Sequence, residues 1–148
     1  MITFQPLNSS IIERTVLLKQ EFYAIDNYPI DVTVSIGLFQ EFIINEHLGK
    51  AWLIFHNNEA VGYLILTFVF SFEHQGKIAF LDELYVTETA RGKGIGSKAL
   101  DFVIAESHKL SLKLIYLEVE PHNKKAQKLY LASGFEMHNR KLMRVKIE

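Results

Sequence analysis

Arg91-Gly92-Lys93-Gly94-Ile95-Gly96 lies between a predicted strand and the start of a predicted helix. Glycine lets the main chain approach a ligand closely, and the free N–H groups at a helix start, with the helix dipole behind them, favour an anion. Arg91 and Lys93 add positive charge at the same place. Three glycines in five positions between a strand and a helix therefore predict a phosphate or diphosphate site, rather than only a turn that packs the helix tightly.

Two known phosphate-binding loops can be compared with this stretch. A Walker loop requires G-x-x-x-x-G-K-[ST], and the glycines here do not have that spacing. The dinucleotide fingerprint fits better, because Gly94-x-Gly96-x-x-Ala99 matches G-x-G-x-x-G/A and Glu118 follows on the next strand. Against it, the turn from Val86 to the loop is long, and the chain after Glu118 is too short to complete a doubly wound sheet.

The elements on either side of the loop form a strand-loop-helix-strand unit. Ile78–Val86 and Leu112–Val119 are rich in β-branched and aromatic residues, and Leu100 and Val103 share one face of a helix that starts at Ile95. Such a crossover usually makes its two strands parallel and right-handed. We therefore expect both strands in one sheet.

The rest of the chain predicts a helix pair, a strand meander and a C-terminal helix. Asn57-Asn58 and Gln75-Gly76 are typical of the turns between the strands, and Gly134 is typical of a helix end. The predicted elements are strands at Ile2–Phe4, Ala51–Phe55 and Ala60–Phe72, helices at Ser9–Tyr23, Ile36–Ile44 and Asn123–Ala132, and a final strand pair over Phe135–Ile147 that turns near His138-Asn139.

Composition narrows the class of protein. The 148 residues suit a single domain spanning 1–148, and a formal net charge of −1 gives no overall field toward nucleic acid or a membrane surface. The absence of cysteine excludes disulfides and thiolate metal sites, and we expect a cytoplasmic protein.

The sequence also lacks the pattern of a signal peptide at its N-terminus, and the apolar run Val61–Phe72 is too short to span a bilayer. His74 and His122 lack partners at metal-ligand spacing, so we expect no metal.

The motifs together closely resemble those of the GNAT superfamily of N-acetyltransferases. The resemblance covers roughly Val61–Phe135, and the elements before it fit the family topology more loosely. It is carried by Leu81-Asp82-Glu83-Leu84-Tyr85-Val86, by the glycine loop, and then by Leu117-Glu118-Val119, Asn123, Ala126, Tyr130 and Gly134-Phe135.

The resemblance implies an α/β (α+β) fold and a cofactor, acetyl-CoA, with CoA as product. The sheet would be mixed and mostly antiparallel, with about six or seven strands and about four helices, and two splayed parallel strands would form a V-shaped cleft. The cofactor-binding residues it implies are Leu84, Tyr85, Val86, Arg91, Gly92, Lys93, Gly94, Ile95, Gly96, Ser97, Asn123, Ala126 and Tyr130.

The expected chemistry needs a proton acceptor, because an ammonium ion has no lone pair with which to attack a thioester. The carboxylates on the two cleft strands are Asp82, Glu83, Glu118 and Glu120. We rank Glu118 and Asp82 first, Glu83 next and Glu120 last, and the family pattern does not decide between the first two. Tyr130 matches the family tyrosine that protonates the leaving thiolate.

The acceptor is the least determined part of the prediction. By analogy, the amine of a small molecule or a protein would lie near Tyr23, Asp26, Tyr28 and Glu73. A sensor that binds acetyl-CoA without turnover is the main alternative, and a dinucleotide oxidoreductase is a weaker one. Strands left at a sheet edge near the C-terminus favour a homodimer.

Overall fold

Five strands form a single sheet in the computed structural model, which describes residues 1–148. The strands are β1 (Ile2–Pro6), β2 (Gly49–His56), β3 (Glu59–Ser71), β4 (Gly76–Val86) and β5 (Ile115–Tyr116). The helices are α1 (Ile12–Ile25), α2 (Val32–Ile44), α3 (Ile95–Lys109) and α4 (Lys124–Ala132), with a 3₁₀ turn at Glu88–Ala90. The order is β1-β2-β3-β4-β5, antiparallel except for the parallel pair β4 and β5. The predicted mixed sheet and its four helices are confirmed, although the strands number five and not six or seven.

Both predicted turns of the meander are present. Asn57 and Asn58 have φ of 51° and 67°, the left-handed region that a two-residue hairpin turn requires. Gln75, with φ of 60°, makes the turn before Gly76. Asparagine tolerates this region, so local chemistry fixes where β2 reverses into β3.

The first two helices begin at different residues from those predicted. The Asn8 side chain accepts a hydrogen bond from the Ser10 N–H at 2.9 Å, which closes a turn before the helix, so α1 starts at Ile12 and not at Ser9. The Asp31 side chain accepts from the Val34 N–H at 3.0 Å and caps α2, which therefore starts at Val32, before Ile36.

Helices cover both faces of the sheet and bury two apolar layers. Strand β3 contributes to both, which explains the continuous apolar run in its sequence. The layer under α3 includes Leu64, Leu66, Leu81, Leu100 and Val103. The layer under α1 and α2 includes Val16, Phe39, Leu53, Tyr63 and Ile65. None of the helices combines the length and the apolar character needed to cross a membrane.

Strand β4 carries a β-bulge where it begins to leave β5. Ile65 of β3 pairs with Glu83 and Leu66 pairs with Leu81, so Asp82 is the extra residue. A bulge bends its strand and increases the local twist. The ladder between β4 and β5 ends at Phe80 and Tyr116, two residues before Asp82. The bulge thus lies where the parallel strands separate.

The C-terminal part of the chain differs from the prediction. Of the predicted strand Leu112–Val119, only Ile115 and Tyr116 form strand β5, although Lys113 and Leu114 also hydrogen-bond to the main chain of β4. Beyond Tyr116 the two strands diverge. The predicted strand pair over Phe135–Ile147 is wrong for this structure: no strand follows α4, and residues 136–148 make no main-chain hydrogen bond. A strand needs a partner edge, and the chain does not turn back at His138-Asn139 to provide one.

Candidate active site

A cavity of about 670 Å³ opens where β4 and β5 diverge, between the glycine loop and the start of α4. It brings together residues that are far apart in the sequence. The predicted cofactor residues that line it are Leu84, Tyr85, Val86, Arg91, Gly92, Gly94, Ile95, Gly96, Ser97, Asn123, Ala126 and Tyr130. Lys93 belongs to the same loop but does not line the cavity.

The glycine loop presents a row of free main-chain amides. No N–H group from Gly92 to Ser97 donates a hydrogen bond within the protein, and α3 has no side-chain cap. Gly92 and Gly94 have φ of 79° and 75°, and a Cβ added to either would meet no atom within 4 Å. Successive free amides at a helix start form a concave site for an anion. The loop is therefore open and chemically suited to an anionic group such as a phosphate or diphosphate.

Cationic side chains line the same cavity. Arg91 is held in place because its Nε donates to the Val86 carbonyl at 3.1 Å and its guanidinium lies 5.8 Å from the Tyr85 ring centre. Lys125, in the first turn of α4, also lines the cavity. These charges and the α3 dipole favour an anionic ligand in this cavity.

Tyr130 reaches the cavity from α4. The cap of that helix fixes its position: the Asn123 side chain accepts from the Ala126 N–H at 3.1 Å. The Tyr130 ring packs edge-on against Phe135, and its hydroxyl makes no hydrogen bond within the protein. Burial raises the pKa of Tyr130, so the hydroxyl stays protonated at neutral pH.

The four candidate carboxylates occupy different environments. Glu118 and Glu120, on the chain that follows β5, line the cavity, and Asp82 and Glu83 do not. Asp82 and Glu118 lie two residues beyond the last paired positions of their strands. Partial burial raises the pKa of Asp82, the carboxylates of Glu83 and Glu118 raise it further, and Lys19 opposes the shift.

Glu83 is held by three donors on the α1 face of the sheet. Its carboxylate accepts from Lys19 Nζ at 3.1 Å, from the Tyr23 hydroxyl at 2.8 Å and from the Tyr63 hydroxyl at 2.6 Å. Burial and the Glu83 charge raise the pKa of both tyrosines. This network links α1 to β3 and β4. The hydrogen bonds to Glu83 therefore give its carboxylate a structural role.

The predicted acceptor residues lie in three different places. Asp26, at the end of α1, lines the cavity. Tyr23 belongs to the Glu83 network and Tyr28 packs against it, with ring centres 6.4 Å apart. Glu73 lies elsewhere, paired with both terminal nitrogens of Arg140 at 2.9 and 2.7 Å.

Part of the cavity lining was not predicted from the sequence. Phe22 and Ile25 of α1 form a wall of the cavity, and so do His122 and Leu129 near α4. The end of α1 comes over β4 through packing, for example of Phe22 on Tyr85 with ring centres 5.2 Å apart. Nothing local in the α1 sequence signals this contact. No three His, Asp or Glu side chains lie together in a way that could hold a metal ion.

Comparison with known proteins agrees with this geometry. The model of the Acetyltransferase (GNAT) family matches residues 16–135. The D-amino-acid N-acetyltransferase HPA3 of Saccharomyces cerevisiae is 32% identical over 123 residues, an alignment that covers 80% of this chain and 75% of the yeast protein.

Two solved structures show the same fold. The integron cassette protein HFX_CASS3, from the mobile metagenome of Cole Harbour Salt Marsh, has a TM-score of 0.89 at 29% identity, covering 98% of this chain and 90% of its own. The aminoglycoside N-acetyltransferase AAC(6')-Iy in complex with CoA has a TM-score of 0.84 at 16% identity, covering 99% and 95%. The family model and the yeast relative each match most of this chain. The chain therefore belongs to the GNAT family of acetyltransferases and is an acyltransferase.

Proposed function

We propose that the whole chain is one domain that transfers the acetyl group of acetyl-CoA to a primary amine of a small molecule. The observation that carries the proposal is the row of free amides from Gly92 to Ser97, which opens into the same cavity as Tyr130 and Glu118. An anion-binding loop, a proton acceptor and a proton donor thus share one space. Direct attack in a ternary complex requires this arrangement.

The cofactor would lie along the diverging strands. The amides of the glycine loop would bind its diphosphate, and the unpaired edge of β4 beyond Phe80, including Leu84 and Val86, would bind the pantetheine amides. When bound, acetyl-CoA supplies an acetyl thioester whose C–S bond breaks as the C–N bond to the amine forms. CoA is then released as the product.

Glu118 is the proton acceptor in this proposal. It lines the cavity, whereas Glu83 already accepts three hydrogen bonds and Asp82 lies outside the lining. A carboxylate takes a proton from the bound ammonium, directly or through one water molecule, and leaves the neutral amine that attacks the thioester. Asp82 lies close enough for the two carboxylates to interact, so its charge strengthens the attraction for a cation at this point.

Tyr130 is the proton donor. Its hydroxyl is free of other hydrogen bonds, and its raised pKa keeps the proton in place until a thiolate forms nearby. Transfer of that proton to the leaving sulfur prevents the reverse reaction. The α4 cap at Asn123 fixes the position from which Tyr130 donates.

The acceptor end of the cavity favours a small cationic amine. Asp26, Glu118 and Glu120 are carboxylates in its lining, and Phe22 and Ile25 supply an apolar wall. This combination suits an ammonium group on a compact carbon skeleton. The relatives whose names state a substrate class, a D-amino-acid and an aminoglycoside N-acetyltransferase, act on small amines, which supports the same class here.

The experiment is a thiol-release assay with acetyl-CoA and a panel of amino acids, polyamines and aminoglycosides. We expect amine-dependent release for at least one class, and a loss of kcat of about 100-fold in Glu118→Gln. Asp82→Asn is the matched control, because it removes the neighbouring carboxylate outside the cavity lining, and we expect a loss of less than about tenfold. Acetyl-CoA binding without release for any amine would support a sensor instead, and a larger loss in Asp82→Asn would transfer the proton-acceptor role to Asp82.

A further inference from the structure

The chain between β5 and α4 carries Glu118 but is weakly connected to the sheet. The ladder with β4 ends at Tyr116, and from Leu117 to Val119 no N–H or C=O group takes part in a main-chain hydrogen bond. The side chain of Leu117 packs against the core layer under α3, which holds only the start of this segment. Main chain without ladder hydrogen bonds belongs to the least stable parts of a fold. The position of Glu118 therefore depends on contacts made further along the chain.

Gln127 holds the far end of this segment. Its side-chain Nε2 donates to the carbonyl oxygen of Glu120 at 3.1 Å and to that of Pro121 at 3.0 Å. These are the second and third residues after Glu118. The Pro121 carbonyl accepts no main-chain hydrogen bond, so Gln127 is its donor. A side-chain amide carries two N–H donors in one plane, which lets it serve both carbonyls at once.

The helix that carries Gln127 also carries Tyr130. Gln127 is half-buried in α4, and Tyr130 lies three residues later, on the next turn of the same helix. That helix is packed against the start of α3, because a Cβ added at Gly96 would lie 3.2 Å from Cδ2 of Leu129. Gln127 therefore connects the chain that bears Glu118 to a helix whose own position is fixed.

We propose that Gln127 is a positioning residue for acetyl transfer. The inference rests on the proposed function, in which Glu118 accepts a proton and Tyr130 donates one. By binding the carbonyls that follow Glu118 to the helix of Tyr130, Gln127 fixes the distance between the two groups. Gln127 does not line the cavity, so it acts without touching either substrate. Its effect on turnover is still large, because a displacement of about 1 Å in a catalytic group costs on the order of 100-fold in rate.

The first test is steady-state kinetics of Gln127→Met, which removes both donors but keeps the length and the helix propensity of the side chain. We expect kcat to fall about tenfold or more and KM for acetyl-CoA to change less than about threefold, because the glycine loop is untouched. Gln127→Glu keeps the size but its carboxylate only accepts hydrogen bonds, so it should lose at least as much. Lys128→Met, at an exposed neighbouring position outside the cavity lining, is the matched control and should keep the wild-type kcat. Unchanged kcat in both Gln127 variants would overturn the inference.

A double-mutant cycle tests whether Gln127 acts through Glu118. If it does, Gln127→Met combined with Glu118→Gln should be no slower than Glu118→Gln alone, whereas independent effects would multiply. A double variant slowed by the full factor of both changes would overturn the inference while leaving the proposed function intact. Full activity of Glu118→Gln would refute the proton-acceptor role and the inference with it, which is a different result.

NMR relaxation of ¹⁵N-labelled protein measures the positioning without any amine substrate. We expect order parameters of about 0.85 for the amides of Glu118, Val119 and Glu120 in wild type and in Lys128→Met, and values below about 0.6 in Gln127→Met. Equal order parameters in wild type and Gln127→Met would show that another contact fixes the segment. That result, or low values already in wild type, would overturn the inference whatever the amine panel shows.

Discussion

At the scale of single residues, Glu83 should matter for stability more than for turnover. Glu83→Ala would leave Lys19 without its ion pair and would remove the acceptor of the Tyr63 hydroxyl, which is on a fully buried residue. Breaking such a network by removing one partner costs about 2–4 kcal/mol. Urea denaturation measures this loss, with Glu83→Gln as a variant that keeps the volume. Unchanged stability together with lost turnover would instead assign Glu83 to catalysis.

Tyr130 should show the opposite behaviour. Its hydroxyl makes no hydrogen bond within the protein, so Tyr130→Phe should change the free energy of unfolding by no more than about 0.5 kcal/mol. Loss of the proton donor should lower kcat by about 100-fold, with KM for acetyl-CoA little changed. Steady-state kinetics and thermal melting check the two parts. A fully active Phe variant would exclude Tyr130 as the donor.

Asp82 should make stability depend on pH. Its pKa is raised in the folded protein, so its ionised form is disfavoured there, and the stability present at low pH is lost as the pH rises through the carboxyl range. Asp82→Asn cannot ionise and should be more stable than wild type at pH 7, by at most about 1 kcal/mol, because the partly buried side chain still has enough contact with solvent to screen its charge. The difference should shrink as the pH falls toward about 4. An Asn variant less stable than wild type at neutral pH would contradict the raised pKa of Asp82.

The sequence identified the four candidate carboxylates but did not decide between Glu118 and Asp82 as the proton acceptor. Strict alternation along β4 would keep neighbours on opposite faces, and the bulge at Asp82 breaks that alternation. Glu83 then turns to the α1 face, where Lys19 and Tyr23 come from a helix some sixty residues earlier. Such long-range contacts leave no local pattern in the sequence. The glycine loop was predictable because its chemistry is local.

At the scale of elements, the loop before α3 should still bind acetyl-CoA when a small side chain is added at Gly94, but not when a negative charge is added. A Cβ at Gly94 meets no atom within 4 Å, and its positive φ adds a strain of about 1 kcal/mol for Ala and Asp alike. Gly94→Asp also places a carboxylate beside the free amides, where it repels and competes with a diphosphate. We expect the Asp variant to lose about 100-fold in acetyl-CoA affinity, and Gly94→Ala less than tenfold. Equal affinities of the two variants would argue against an anion site.

The elements that the sequence predicted well are those with local signals. Asn57 and Asn58 marked the β2–β3 turn, and the Asn123 cap marked the start of α4. The predicted length of β5 was too great, because Leu112–Val119 has strand composition throughout. Composition does not show where two strands separate. The C-terminal segment has strand periodicity as well. Periodicity alone does not say which sheet edge receives a strand.

At the scale of the whole molecule, charge is nearly balanced overall, and the cavity lining carries charges of both signs. The net charge is −1, while Arg91 of the glycine loop and Lys125 of α4 line the cavity together with the carboxylates of Asp26, Glu118 and Glu120. A weak overall field with strong local ones does little to attract either substrate from a distance. In the proposed function, the local charges would bind an anionic cofactor at the glycine loop and a cationic amine at the carboxylates.

The central claim is that the amides from Gly92 to Ser97 hold the diphosphate of the cofactor. Isothermal titration calorimetry of CoA and of pantetheine, which lacks the diphosphate, tests it most directly, with wild type and Gly94→Asp measured side by side. We expect wild type to bind CoA at least about 100-fold more tightly than pantetheine, and the Asp variant to lose most of that preference. Equal wild-type affinity for CoA and pantetheine, or a preference that survives in Gly94→Asp, would contradict the claim.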